Sequence, residues 1–138
     1  MPVRTSEATW EGDLRDGSGE MTVGDGVYRG AYTFASRFEQ GEGTNPEELI
    51  GAAHAGCYAM ALSNDLAGDG YEPERVHAEV SVHLEDGAIS TIELDVEAEV
   101  PGIDEEAFLG YAEDAKENCP VSVALAAVPE ITLSATLL

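Results

Sequence analysis

Two stretches of this chain alternate apolar and polar residues at every second position. Val76, Ala78, Val80, Val82 and Leu84 fall on one side of the first. In the second, Ile92, Leu94, Val96, Ala98 and Val100 face one way while Glu93, Asp95, Glu97 and Glu99 face the other. A period of two is that of a strand with one face on a core and one in water. Asp86-Gly87 between the runs predicts a hairpin turn. Ile131–Leu137 alternates in the same way and Ala8–Leu14 more weakly, while Gly17, Gly24 and Gly26 divide the first 38 residues into short strands.

Two segments have helical rather than strand character. Asn45 is a suitable N-cap, Pro46 fits the first helical position, and Glu47 and Glu48 complement the positive end of a helix dipole. From Leu49 to Asn64 no acid or base other than His54 occurs, so this helix is apolar on all sides and is expected to be buried centrally. Gly51, Ala52, Ala53, Ala55 and Gly56 leave thin faces for close approach. A second helix is predicted from Asp104, with Phe108, Tyr111, Ala112 and Ala115 on one face. Pro120 ends it, because the residue before a proline avoids the helical region. A short helix over Val121–Ala127 is expected next. With no linker or repeat, the expectation is one α+β domain spanning 1–138.

Composition narrows the partners. Hydrophobic residues make up 43% of the chain, enough for a packed core. No apolar run reaches the 18 or so residues of a membrane span, so a soluble protein is expected. Acids outnumber bases 28 to 6, for a formal charge of -22, and Lys116 is the sole lysine. Such a surface repels nucleic acid and anionic lipid. The acids are spread from Glu7 to Glu130 among core residues, which is the pattern of a solvated surface. Their density points to a halophilic, salt-adapted cytoplasm. Met1–Trp10 lacks the apolar stretch of a signal peptide, which also argues for the cytoplasm.

The candidate chemistry rests on two cysteines 62 positions apart. A domain of this size needs no disulfide to hold its core, and intracellular disulfides are more often catalytic than structural. Cys57 sits among small apolar residues, where a free cysteine is most often a core residue. At about 100° per residue, Glu47, Ile50, His54, Cys57 and Ala61 lie within roughly 80° of one another, and Glu48 lies opposite Cys57. Glu47 is about 15 Å from Cys57 along the axis, so a long basic side chain would have to bridge them. His54, one turn before Cys57, suggests either a Cys-His nucleophile pair or a histidine bonded within a buried helix. His77 and His83 fall on the outward face of a strand. No cysteine or histidine spacing signals a metal, and no cofactor is expected. Cys119 precedes Pro120; at the start of a helix its thiolate would be favoured, the alternative being an inert cysteine at a junction. Arg37 stands in an apolar stretch, Thr33–Glu39, read as a strand. Its guanidinium is suited to holding a thiolate and polarising a peroxide, or it is a surface arginine paired with Glu39.

The string from Gly43 to Leu62, with NPEELIGAAHAGC at its centre, resembles the thiol helix of the OsmC family of peroxidases. Ala8–Gly12, Phe34–Glu39, Val100–Asp104 and Ala115–Ser122 extend the likeness along almost the whole chain, and the His-Ala-Gly-Cys string resembles OsmC itself rather than the related organic hydroperoxide resistance proteins. The resemblance implies antiparallel sheets around a central buried helix and an intertwined homodimer with its sites at the subunit interface. It makes Cys57 the peroxidatic thiol with a lowered pKa, Cys119 the resolving thiol, and Arg37 the activator of Cys57, held by Glu47. It implies organic hydroperoxide as substrate and a dithiol or lipoylated protein as reductant. The surface departs from the family, with acids where more lysine is expected. Two other readings are a non-catalytic protein of the same fold holding an apolar ligand at the dimer interface, and a Cys57–His54 hydrolase, which gives Cys119 no role.

Overall fold

A computed structural model describes residues 2–138; Met1 of the expected 1–138 domain lies outside them. The chain divides into two compact units, one through Leu49 and one from Ile50 to Leu138.

In the first unit, β1 (Ser6–Glu11), β2 (Ser18–Val23) and β3 (Tyr28–Tyr32) form an antiparallel sheet in chain order. The glycine-rich breaks read from the sequence are its turns. Next comes α1 (Phe34–Phe38), where a strand was expected. The reason is local: Thr33 Oγ1 accepts from the Ser36 N–H at 3.1 Å, and Ser36 Oγ accepts from the Thr33 N–H at 2.8 Å. This reciprocal capping box starts a helical turn at a segment whose apolar content alone fits a strand equally well. Gly43 then turns with φ +114, and a Cβ there would lie 2.5 Å from the Ala31 carbonyl oxygen. Only glycine fits the loop that feeds the next helix.

That helix, α2 (Pro46–Gly68), begins as the sequence predicts, with the Glu48 N–H donating to Asn45 Oδ1 at 2.8 Å. It continues into the second unit. There Gly51, His54, Tyr58, Leu62 and Leu66 are buried at helical spacing, while Ala52, Ala53, Gly56 and Met60 are exposed, Met60 by 76%. Burial on all sides was expected; within one chain the helix buries a single stripe and leaves an apolar face open. Composition marks a helix as apolar but does not say whether its own chain covers it.

β4 (Arg75–Glu85) and β5 (Ala88–Glu99) form the predicted hairpin, with Asp86 at φ 52 and Gly87 at φ 78. Ile92, Leu94, Val96 and Ala98 are fully buried with Tyr58, Leu62, Leu66 and Phe108. Gly51 lets α2 approach this hairpin: a Cβ on it would sit 3.4 Å from the Val80 carbonyl oxygen. α3 (Glu105–Asn118) is capped by Asp104, whose Oδ1 accepts from the Ala107 N–H at 2.8 Å, and α4 (Pro120–Ala124) follows, shorter than expected. β6 (Glu130–Leu137) then pairs with β5 in parallel, so the sheet order is β4-β5-β6 and the sheet is mixed rather than antiparallel. Parallel pairing needs a crossover, which α3 and α4 supply. The architecture is α+β.

Candidate active site

In the second unit, α2 presents Cys57 and the α3–α4 junction presents Cys119 to a cavity of about 480 Å³. Met60 and Ala61 of α2, Ala115 of α3 and Pro120 complete its apolar wall, with Asn64, Asp65 and Asn118 at its polar side. The two cysteines, distant in sequence, thus share one chamber. Neither is in a disulfide; Cys57 is partly exposed and Cys119 is buried.

The junction is built by one proline. Pro120 cannot continue α3, so Cys119 closes that helix with its N–H on the Ala115 carbonyl and opens α4 as its N-cap. Its Sγ accepts from the Ser122 N–H at 3.4 Å and donates to Ser122 Oγ at 3.1 Å. Burial pushes the Cys57 thiol up, the Val121 peptide N–H draws it down, and Cys119 pushes it up again; the net displacement is upward. This direction is opposite to the lowered pKa expected from the thiol helix. Sequence shows small apolar neighbours, but the desolvation they impose favours the neutral thiol.

His54 does not pair with Cys57. Its Nε2 lies 2.7 Å from Ser122 Oγ, and its Nδ1 has no hydrogen-bond partner among the described residues. The Cys-His pair of a hydrolase is not formed, and the histidine bonded in the interior is what the fold contains. Burial holds His54 below its ordinary value of 6.5. Ser122, which the sequence reading passed over, joins His54 to Cys119. His83 lies on the outer side of the sheet and meets Glu93 at 2.6 Å.

In the first unit Arg37 reaches Glu47 rather than Glu39. Its Nε donates to Oε1 and its second terminal nitrogen to Oε2, both at 2.9 Å. This is the parallel fork that fixes a guanidinium in plane as well as in place. Glu47 raises the arginine's pKa, keeping it charged. Glu48, one residue on, points elsewhere and accepts from Thr44 Oγ1 at 2.8 Å. Glu47, and not Glu48, is thus the partner of Arg37. Arg37 also lines a second cavity, of about 340 Å³, with Trp10, Leu14, Tyr32, Phe34 and Phe38. Its guanidinium lies 5.3 Å from the Phe38 ring centre, and that of Arg15 lies 4.6 Å from the Phe34 ring. Trp10, Phe34 and Phe38 lie in the strings that carry the family resemblance, whereas Leu14 and Tyr32 do not.

No three histidine, cysteine or carboxylate side chains are grouped to hold a metal among the described residues. No helix among them is long and apolar enough to cross a membrane.

Residues 39–134 match the model of the OsmC-like protein family. The chain is 47% identical over 135 residues to Peroxiredoxin OsmC of Escherichia coli strain K12, covering 94% of this chain and 93% of the relative, and Peroxiredoxin OsmC of Shigella flexneri matches to the same extent. Among solved structures, an OsmC-like protein from Mycoplasma pneumoniae superposes with a TM-score of 0.77 at 15% identity, covering 99% of this chain and 98% of that one. The organic hydroperoxide resistance protein OhrB of Bacillus subtilis gives 0.66 at 25% identity, with 97% and 98% covered. The chain belongs to the OsmC family.

Proposed function

We propose that this protein is a cysteine-based peroxidase that reduces organic hydroperoxides, and hydrogen peroxide less well, to the alcohol or water. The observation that carries the reading is the shared cavity: Cys57 partly exposed on its wall and Cys119 buried beside it, both reduced. A binding protein with an apolar ligand has no use for a second thiol at that position.

The Cys57 thiolate attacks the distal peroxide oxygen. The O–O bond breaks, the alcohol leaves with a proton, and Cys57 becomes a sulfenic acid. Cys119 displaces the hydroxyl, which departs as water, and a Cys57–Cys119 disulfide forms. An external dithiol or lipoylated protein reopens it by exchange and is itself oxidised. No metal or prosthetic group enters these steps.

Burial displaces Cys57 toward the neutral thiol, and a neighbouring cation would favour its ionised form. Arg37 is our assignment, with Glu47 setting the plane of its guanidinium. The open face of α2 at Ala52, Gly56 and Met60 supports an intertwined homodimer in which a second copy covers it. We assign the protein, as one 1–138 domain, to a salt-adapted cytoplasm, where its charge of -22 is screened.

Turnover of cumene hydroperoxide with a dithiol as reductant tests the reading. Cys57→Ser is expected to abolish it, and Cys119→Ser to stop it after one round with Cys57 overoxidised. Full turnover by either variant would contradict the assignment.

A further inference from the structure

The peroxidase reading uses the two thiols but leaves three features of the second unit without a role. His54 is fully buried, yet it is the one titratable residue of α2 between Ile50 and Cys57. Its Nδ1 has no partner among the described residues. Ser122 is buried, with its hydroxyl between His54 Nε2 at 2.7 Å and Cys119 Sγ at 3.1 Å. A fully apolar residue at position 54 would fill the core without leaving an orphaned polar atom, which costs about 1–3 kcal/mol.

Counting donors fixes the sense of the chain. If the Cys119 S–H donates to Ser122 Oγ, the serine hydroxyl hydrogen is free to donate onward to Nε2, and only Nδ1–H remains unpaired. If Nε2 carried the proton instead, the serine hydroxyl would turn its hydrogen to Cys119 Sγ, and the thiol hydrogen and the Nδ1 lone pair would both be unpaired. The first arrangement leaves fewer orphans and runs in one direction, from sulfur to oxygen to nitrogen.

We infer that His54 and Ser122 form a proton relay for Cys119, drawing its thiol proton through Ser122 Oγ to His54 Nε2 as the sulfur attacks. This rests on the reading of Cys119 as the resolving thiol. As the proton moves, Nε2–H becomes a donor to Ser122 Oγ, and the serine hydroxyl turns its hydrogen to the sulfur. The thiolate then accepts from both the hydroxyl and the N–H of Ser122, the latter already at 3.4 Å. The bond formed is Cys57 Sγ–Cys119 Sγ, the bond broken is Cys57 Sγ–O, and the displaced hydroxyl leaves as water with the proton returned by His54. On reduction the relay runs backwards and protonates Cys119 as it departs. Ser122 touches the reacting sulfur; His54 acts through it as a positioning residue. Cys57 and Tyr58 of α2, which bear on Cys119, are both displaced upward; Asp65 of α2 lines the same cavity, and of these groups only His54 is joined to Cys119 through the Ser122 hydroxyl. Only burial shifts His54 itself.

The test isolates the attack of Cys119 from peroxide chemistry. The more accessible thiol, Cys57, is converted with Ellman's reagent to its mixed disulfide with thionitrobenzoate. Attack by Cys119 then closes the Cys57–Cys119 bond and releases coloured thionitrobenzoate and a proton. In the parent protein the release rate is expected to level off with pH where the relay supplies the thiolate. In Ser122→Ala it is expected to fall about 10- to 100-fold at pH 7, within the span of general acid–base effects, and to rise with hydroxide because only solvent then removes the proton. Ser122→Thr, which keeps the hydroxyl, is expected to restore the plateau. His54→Gln should behave like Ser122→Ala; if it fails to fold, the serine pair decides alone. Parental rate and pH profile in Ser122→Ala would overturn the relay. Because no peroxide is involved, failure of the peroxidase reading would show separately, as a parent protein that closes this disulfide but is not oxidised by hydroperoxide.

Discussion

Replacing Glu47 by glutamine is the sharpest probe of the arginine site, since it removes a charge while preserving shape. In the parent, two charge-assisted bonds of 2.9 Å join Arg37 to Glu47. The glutamate side chain is 10% exposed and the arginine 35%, so the pair lies between the solvated and the buried case. Exposed pairs are worth about 0.2–1 kcal/mol, and breaking a buried one costs about 3–5 kcal/mol. Discounting for the open side of Arg37 leaves about 1–2 kcal/mol for this pair. Glutamine keeps one acceptor for the fork but turns an N–H2 toward the second guanidinium nitrogen. The variant is therefore expected to lose about 1–2 kcal/mol of stability. If Arg37 must be held in plane to serve Cys57, the rate of Cys57 oxidation by hydroperoxide falls roughly 5- to 30-fold, the kinetic equivalent of that energy. Thermal melts combined with stopped-flow oxidation of the parent, Glu47→Gln, Arg37→Gln and the double variant measure both quantities, and the cycle isolates the coupling. Glu48→Gln is the control: its partner Thr44 Oγ1 still finds an acceptor, so the change should stay within about 0.5 kcal/mol. Equal losses at Glu47 and Glu48, or a coupling near zero, would refute the role given to the fork.

Further expectations follow from the same residues. Arg37→Lys keeps the charge but not the planar fork, so peroxidase rate should drop by about tenfold or more, on the order of 1.4 kcal/mol; a parental rate would show that charge alone suffices. Alkylation of Cys57 against pH on a Cys119→Ser background should give a higher midpoint in Arg37→Ala than in the parent; an unchanged midpoint would remove Arg37 as the cation. His54 is held below its unfolded value of 6.5 by burial, so the unfolded chain binds the proton first. Stability is therefore constant above about 6.5, falls with pH below it, and stops falling below the folded pKa; urea melts of His54→Gln should lose this part of the acid slope. With -22 charges, the melting temperature should climb as sodium chloride rises from about 0.1 M to about 1 M and the Debye length shrinks from about 10 Å to about 3 Å; a flat profile would contradict salt adaptation.

The strands of the second unit were legible because one face is buried and the other wet: Leu94, Val96 and Ala98 are within 1% of complete burial, while Glu93, Asp95 and Glu99 are exposed. Asn45 and Asp104 were legible as caps because their side chains have one chemical use before a helical pattern. Direction was not legible. The alternation of Ile131–Leu137 is the same for a parallel or an antiparallel neighbour, and only the crossover through α3 and α4 decides it. α1 was misread although its signal, Thr33 three residues before Ser36, was present. At the site, Cys57, Cys119, Arg37 and Glu47 were assigned together through a family string, and the fork between the last two joins residues on separate helices that no angle along α2 relates. The link from His54 to Ser122 spans 68 residues and follows no spacing rule. The upward displacement of Cys57 arises from three-dimensional desolvation that its small neighbours do not announce.

The central claim is that Cys57 and Cys119 form a working redox pair. Its most direct test is the intact mass of the reduced protein after one equivalent of organic hydroperoxide, followed by peptide mapping without reductant. The expected result is a loss of two hydrogens and a single cross-linked peptide joining Cys57 to Cys119, with oxygen gained on Cys57 only in Cys119→Ser. An unchanged mass, or added oxygen that persists on Cys57 while Cys119 stays free, would contradict it.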